Sequence, residues 1–507
     1  MSLKKLFIIN AASSWAAMIV SIFSNLIVIP IMLSKLGVDK FGVWSLLSYG
    51  LAYPAILQSA LCLAINRYVA YYNNDPKQLN FCVSASFVTF LILSMMTVIA
   101  SIIVSFYLTN MFSSIPLSLA KDAQTGCILV GMTLAVTMLG ASFSGALMGR
   151  QAYTVSNGIT IIGDTLRGVF TIVFLLFWNS IATVQFAFLL SSSISAFLMY
   201  FAAKKAIPFL KVSLINLSKR NLIELFSFTL HSIARSGSTI FIQNTLLLLV
   251  GWKGTSSDVT VFTIAFRLPT FLRGFISSAQ NVFLPAVATL CAENKLDEIK
   301  SIAKRGTLLC GILTFIPSIL LFFFTGEVLQ FWLGNNFPNE TVNVMRVVMI
   351  STTPAFFEIW LPVLVGMGHV RALTVTSLLT VLGVIGITML AFEYTTVPMA
   401  PAIALAITYV VRTAVWMPIY GSAKISIPSL EYFKTSVFPL FLSVCITSIV
   451  IISFKRWDFV QNFHWIISLT ICAMFTTIIF GLFSAREEMR YIFTLFKKKL
   501  SLIGVSR

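Results

Sequence analysis

Ionisable side chains in apolar surroundings are the first place to look for chemistry in this chain. The stretch from Asn221 to Leu290 reads as two long apolar helices, roughly 222–250 and 257–290, and it carries four cationic candidates. His231 and Arg235 stand four residues apart on the first, which places them on one helix face. Arg267 and Arg273 flank Pro269 on the second. A charge at bilayer depth costs at least a few kcal/mol and faces a cavity or a partner. At about 1.5 Å per residue across a ~30 Å core, Arg235 and Arg267 both fall near mid-depth. Arginine's planar fork matches phosphate oxygens and stays charged. The chemistry these residue types suggest is reversible capture of an anion. Arg267 and Arg273 diverge by about a third of a turn on a straight helix. Pro269 and Gly274 allow a kink that brings both to one opening.

Other charges fall in predicted spans. Asp164 and Arg167, three apart, either neutralise each other or place a coupling carboxylate beside the cargo path. Glu358 and Arg412 fall in the cytoplasmic half and form either a gate or a static pair. Arg346, near an outer helix end, is expected to snorkel. His231 either senses pH or is a hydrogen-bonded packing residue. Asn10, Ser13, Ser14, Ser21, Ser24 and Asn25 run through the first span, and Gln243 and Asn244 sit in the seventh. Such residues glue helices together or line a path for sugar hydroxyls. Cargo binding is assigned to Arg235, Arg267, Arg273, Arg167 and His231, and coupling or gating to Asp164, Glu358 and Arg412. No catalytic residue, metal site or cofactor is expected. The sequence has no nucleotide-cradling glycine loop with its lysine, no H-E-x-x-H and no paired-aspartate metal motif.

These residues need elements that hold them at depth. The 507 residues are 58% hydrophobic and 10% charged, with mean hydropathy +0.93, which excludes a soluble globular domain and implies an all-α polytopic membrane protein. Net charge is +18, and in such a chain the excess belongs to cytoplasmic loops rather than to nucleic acid binding. Seven scattered cysteines with no C-x-x-C indicate neither a disulfide framework nor zinc. The run after Lys4 and Lys5 is too long for a signal-peptide core and reads as the first span. About fourteen spans are expected: 7–33, 41–65, 81–108, 122–148, 153–178, 182–203, 222–250, 257–290, 306–331, 341–367, 371–392, 397–420, 432–454 and 463–484, with splits near Gly149 and Gly368. With both termini cytoplasmic, inside segments hold 23 Lys and Arg and outside segments only six, a bias that supports this count and orientation. No loop is long enough for a folded domain. The longest, Lys204–Asn221, is either topogenic or lies on the anionic inner leaflet.

The opening of span two, Phe41-Gly42-Val43-Trp44-Ser45-Leu46-Leu47-Ser48-Tyr49, corresponds to the opening of span eight, Val259-Thr260-Val261-Phe262-Thr263-Ile264-Ala265-Phe266-Arg267, in its small, aromatic and apolar positions. A parallel repeat of two six-span blocks follows. The expected organisation is an N-terminal lobe over 1–205, a cytoplasmic linker over 206–221, a C-terminal lobe over 222–425, and two further helices with a basic tail over 426–507. The lobes are expected to enclose a central cavity.

The segment Pro30-Ile31-Met32-Leu33-Ser34-Lys35-Leu36-Gly37-Val38-Asp39-Lys40-Phe41-Gly42-Val43-Trp44 resembles the opening of O-antigen and polysaccharide flippases. So do Ala64-Ile65-Asn66-Arg67-Tyr68-Val69-Ala70 and Phe262-Thr263-Ile264-Ala265-Phe266-Arg267-Leu268. These flippases form the polysaccharide transporter branch of the multidrug/oligosaccharidyl-lipid/polysaccharide exporter superfamily. The glycine usual near the start of span eight is Thr260 here. The resemblance implies two six-helix lobes, a V-shaped cavity, alternating access and an undecaprenyl-diphosphate-linked oligosaccharide as cargo. Fourteen spans occur within that superfamily, including the lipid II flippases. The expectation is therefore a non-enzymatic flippase for a surface-polysaccharide repeat unit in a bacterial inner membrane. Its partners are the lipid-linked oligosaccharide, membrane lipids, and polysaccharide polymerase or other synthesis proteins. An ion-coupled drug exporter of the same fold is the first alternative, but it calls for membrane carboxylates to outnumber arginines. A polysaccharide polymerase or ligase calls for a large outer loop, and none is present.

Overall fold

A computed structural model describes residues 3–72, 75–210, 238, 240–280, 283–456, 472, 474 and 475. Every regular element among them is helical. Two compact units emerge: Met1–Thr263 with Trp332–Asn339, and Ile264–Phe331 with Glu340–Arg507.

The first unit holds α1 (Leu3–Ser45), α2 (Pro54–Tyr71), α3 (Pro76–Met111), α4 (Ala120–Gly149), α5 (Tyr153–Phe177), α6 (Ile181–Ala206) and α7 (Ile240–Lys253). α1 breaks at Gly37, whose φ of +78° is open to glycine at little cost. α3 begins on an Asp75 cap that accepts from Lys77 N at 3.0 Å and Gln78 N at 3.1 Å, with Pro76 at the first helical position. α6 is capped from outside its own strand of chain. Asp122 on α4 accepts from Ser180 Oγ at 2.9 Å, Ile181 N at 2.8 Å and Ala182 N at 3.0 Å. A carboxylate there meets free amides and the positive end of the helix dipole. The core gathers Leu61, Ile65, Phe90, Met138, Phe143 and Leu147 where α2, α3 and α4 meet.

The second unit takes most of α8 (Ser256–Gln280), then α9 (Phe283–Ala292), α10 (Leu296–Phe323), α11 (Thr325–Leu333), α12 (Glu340–Thr352), α13 (Trp360–Gly366), α14 (Val370–Ala391), α15 (Met399–Tyr409), α16 (Met417–Lys424), α17 (Ser429–Tyr432) and α18 (Phe438–Arg456). A 3₁₀ stretch, Thr353–Ile359, follows α12, and π-helical turns occupy Val410–Trp416 and Phe433–Val437. Its core centres on a buried chain in which Trp360 Nε1 donates to Tyr432 Oη at 3.0 Å and Tyr432 shares a 2.6 Å hydrogen bond with Thr307 Oγ1. Indole and phenol so placed satisfy their polar tips inside an apolar core.

Eleven helical runs among the described residues are long and apolar enough to cross a bilayer. The first, Ala12–Tyr71, spans 60 residues and is broken at Gly37. At about 1.5 Å per residue it reaches far enough for two crossings of a ~30 Å core. The expected seventh span is described only from Ile240, and the fourteenth lies almost wholly outside the described residues. α4 ends at Gly149, followed by Gln151 at φ 61°, and Gly368 at φ 83° separates α13 from α14. Both sit at expected splits.

Candidate functional site

The second unit brings three of the singled-out charges together. Arg273, on α8, forms a hydrogen-bonded ion pair with Glu358 of the 3₁₀ stretch. Its guanidinium carbon lies 4.1 Å from the centre of the Tyr409 ring at the end of α15. Arg412, in the π-helical turn that follows, donates to Ser377 Oγ on α14 at 3.0 Å and lies within electrostatic reach of Glu358, Arg273 and Tyr409. Arg412 Nε is buried and has no hydrogen-bond partner. Of the two expected alternatives, the static ion pair of Glu358 with Arg412 is not the one formed, because Glu358 takes Arg273. The cluster holds two guanidinium groups and one carboxylate, a net single positive charge. A buried cation stacked on an aromatic face and shared with one carboxylate tolerates low dielectric. One cationic group is left to meet an anion.

Local backbone geometry builds this cluster. Wide π turns and tight 3₁₀ stretches redirect side chains that a regular helix would send elsewhere. Val410 and Ala414, each two residues from Arg412, line an apolar cavity of about 440 Å³ with Phe315, Phe356, Phe357 and Phe441. Residues two apart project to roughly opposite sides of a helical turn. Apolar cavity and cation thus occupy opposite faces of the same turn.

α8 runs as one helix through Pro269. Thr270 Oγ1 donates to the Phe266 carbonyl at 2.7 Å, one residue past the Ala265 carbonyl that Pro269, lacking an N–H, leaves without its helical donor. Pro269 and Gly274 both lie inside that one helix. Arg267, half-buried, sits six residues before Arg273 and so about 9 Å away along the axis. His231 and Arg235 lie outside the described residues.

In the first unit, Arg167 and Asp164 are paired at 3.4 Å, and the Arg167 guanidinium lies 5.2 Å from the Phe188 ring centre. The Arg167 side chain is 38% exposed and that of Asp164 13%, so the cation faces the opening of a narrow cleft that Asn25, Met32 and Trp44 also line. Part of the polar string of the first span ties α1 to α5. Ser24 Oγ donates to the Asp164 carbonyl at 3.0 Å, and Asn157 Nδ2 donates to Ser13 and Ser14 at 2.9 and 3.0 Å. In the second unit, Arg346 Nε donates to the Phe322 carbonyl at 3.3 Å, capping the C-terminal turn of α10. Tyr409 and Ser377 were not singled out by sequence reasoning. Tyr409 stands three residues before Arg412 and was accessible through helix spacing, whereas nothing in the sequence points to Ser377. Among the described residues no group of three or more His, Cys, Asp or Glu is placed to hold a metal.

Fold and charge placement define a multi-pass helical membrane protein with arginines in its spans. The sequence profile of the polysaccharide biosynthesis protein family matches residues 79–342, and the chain belongs to that family. It is 22% identical over 523 residues to a Bacillus subtilis (strain 168) protein described as uncharacterized membrane protein EpsK, covering 98% of this chain and 100% of that one. Its fold is similar to the lipid II flippase MurJ in an inward closed conformation, with a TM-score of 0.73 at 13% identity over 96% of this chain and 100% of that one. It is also similar to an inward-facing multidrug resistance MATE family transporter of the MOP superfamily, with a TM-score of 0.69 at 14% identity over 86% and 97% of the two chains. The fold that the flippase resemblance of the sequence implies is the fold these structures share.

Proposed function

We propose that this protein is a flippase that moves an undecaprenyl-diphosphate-linked oligosaccharide, the repeat unit of O-antigen or another surface polysaccharide, from the cytoplasmic to the outer face of a bacterial inner membrane by alternating access. The observation that carries the reading is the excess of cation over carboxylate at span depth. Arg167, Arg267, Arg273 and Arg412 stand in the expected spans among the described residues, against Asp164 and Glu358. Membership of a polysaccharide biosynthesis family supplies the cargo class. The MurJ-like fold supports movement of a lipid-linked substrate. Arginines attract the diphosphate, polar side chains accommodate sugar hydroxyls, and the isoprenoid tail stays in the hydrocarbon. Binding has to be weak enough for release on the far side, and partial neutralisation of Arg273 by Glu358 serves that end. A drug exporter for cationic compounds would need the opposite charge balance.

A deletion strain tests the reading. Wild-type protein is expected to restore surface polysaccharide, while Arg235→Ala and Arg267→Ala at unchanged protein level leave lipid-linked oligosaccharide on the inner leaflet. Normal surface polysaccharide with both variants sinks the cation-binding role.

A further inference from the structure

Two buried donors of the first unit lack an acceptor, and both residues line one cleft. Trp44 Nε1 and Arg167 Nε have no hydrogen-bond partner among the described residues, although Trp44 is only 2% exposed. Leaving such an N–H buried and unmade costs about 1–3 kcal/mol. The cleft, which Ser24, Asn25, Asp164 and Phe188 also line, holds about 20 Å³ of free space. That is room for one water molecule or one hydroxyl group.

Three helices build the cleft. α1 brings Ser24 and Asn25, and carries Trp44 past the Gly37 turn. α5 brings Asp164 and Arg167, and α6 brings Phe188. Gly168 lets α1 and α5 close on each other, since a Cβ there would lie 3.0 Å from Ser24 Oγ and 3.2 Å from Val28 Cγ2. Ser24 Oγ in turn donates to the Asp164 carbonyl at 3.0 Å and fixes the backbone that carries the carboxylate. Trp44 stands perpendicular to Phe188 with ring centres 6.0 Å apart, and the Arg167 guanidinium lies 5.2 Å from the same Phe188 ring. Side chains locked by neighbours in this way hold a fixed recognition geometry.

The lining discriminates among ligands. A phosphate oxygen only accepts, and in this cleft it would meet the Asp164 carboxylate. A metal cation takes several oxygen ligands, whereas the only carboxylate in the lining is already paired with Arg167 at 3.4 Å. A hydroxyl donates and accepts at once. It can donate to Asp164 and accept from Trp44 Nε1 or Arg167 Nε, with the two aromatic rings as apolar walls. The Arg167 side chain, 38% exposed, reaches the opening where the ring bearing that hydroxyl would lie. A site built to hydrogen-bond a hydroxyl rejects an analogue that lacks it, because its buried polar groups then go unpaired.

We propose that this cleft is a sugar-reading site: it takes one hydroxyl or hydroxymethyl group of the cargo's oligosaccharide, with Asp164 as acceptor and Trp44 and Arg167 as donors. Arg167 then serves glycan selection rather than diphosphate capture. The proposal rests on the cargo reading above and names the part of that cargo which the first unit recognises.

The test compares two lipids on the purified full-length protein by native mass spectrometry in detergent. One is lipid-linked oligosaccharide extracted from the deletion strain, and the other is undecaprenyl diphosphate, which has no sugar. Trp44→Phe keeps an aromatic ring and removes the N–H. It is expected to weaken binding of the glycosylated lipid about tenfold and to leave undecaprenyl diphosphate within about twofold of wild type. Asp164→Asn keeps the side-chain shape and removes the charge; the same pattern is expected, and it replaces Trp44→Phe if that variant does not fold. Tighter binding of undecaprenyl diphosphate by Asp164→Asn overturns the site, because Arg167 would then be a phosphate partner released by loss of the carboxylate. Wild-type affinity for both lipids in these variants also overturns it and leaves a recess for water only, and equal losses on both lipids overturn it as a general defect. Wild-type protein that binds neither lipid overturns the cargo reading, and this site falls with it.

Discussion

Removing Glu358 should strand two arginines. Arg273 and Glu358 have side chains 21% and 13% exposed, so their pairing is only weakly screened. Two unit charges about 4 Å apart attract by about 4 kcal/mol at an effective dielectric near 20. Truncating one member of a buried pair typically loses about 3–5 kcal/mol, because the survivor stays buried and uncompensated. Partial exposure and the Tyr409 ring, which still faces Arg273, favour the lower end. Glu358→Ala is therefore expected to destabilise by about 3 kcal/mol, two orders of magnitude in the unfolding equilibrium. The double change Arg273→Met with Glu358→Leu removes both charges and should come within about 1 kcal/mol of wild type. Tryptophan-fluorescence unfolding of purified protein in detergent measures both. Surface-polysaccharide export separates the roles: the stable double variant fails to export if Arg273 meets cargo and exports normally if the pair only pins α8 to the 3₁₀ stretch. Glu358→Ala as stable as wild type would refute the premise that the carboxylate compensates buried charge.

Three further outcomes follow from the same contacts. Asp122→Ala leaves the first amides of α6 without their acceptor and should lose about 2 kcal/mol in the same unfolding assay, with Asp122→Asn recovering part of it. An unchanged midpoint would mean water caps α6 as well. Tyr432→Phe removes the oxygen shared by Trp360 and Thr307 and should cost about 1–3 kcal/mol while export persists in cells at normal protein level; lost export at native stability would mean the chain does more than hold the core. Gly42→Val forces α1 and α8 apart and should cost about 1–3 kcal/mol, with protein level and export both reduced; wild-type values for both would contradict the close approach.

The all-helical, membrane-spanning class was legible because every backbone amide in hydrocarbon must be satisfied within its own segment, and twenty-residue apolar runs meet that demand only as helices. The break at Gly368 was legible because glycine adopts the positive φ that stops a helix at little cost, whereas at Gly149 the positive φ falls on Gln151, two residues on. The family was legible from the Leu36-Gly37 turn and the Phe41-Gly42 opening. The structure gives a reason for those residues: Gly37 takes the left-handed turn and Gly42 makes room for Ser256. The 3₁₀ stretch at Thr353 and the π turn at Val410 left no trace in composition, since both are apolar runs that a regular helix would accept equally well.

The candidate site was legible as an inventory of charges and not as a set of partners. Glu358 had two arginines within reach of its depth, and which one it takes depends on the rotation of its helix about its own axis. A 3₁₀ stretch turns about 20° further per residue than an α-helix, so a few residues of it are enough to turn Glu358 from one neighbour toward another. Asp164 and Arg167 escaped that ambiguity because a spacing of three within one helix brings them together in any packing. Local pairs in a membrane helix can be read from sequence, whereas pairs between helices wait for the rotation of each. The difference matters because Arg273 taken by Glu358 leaves Arg412 the less compensated of these two cations. Under the proposed cargo role, Arg412 therefore joins Arg267 and Arg273 as a candidate for the anion.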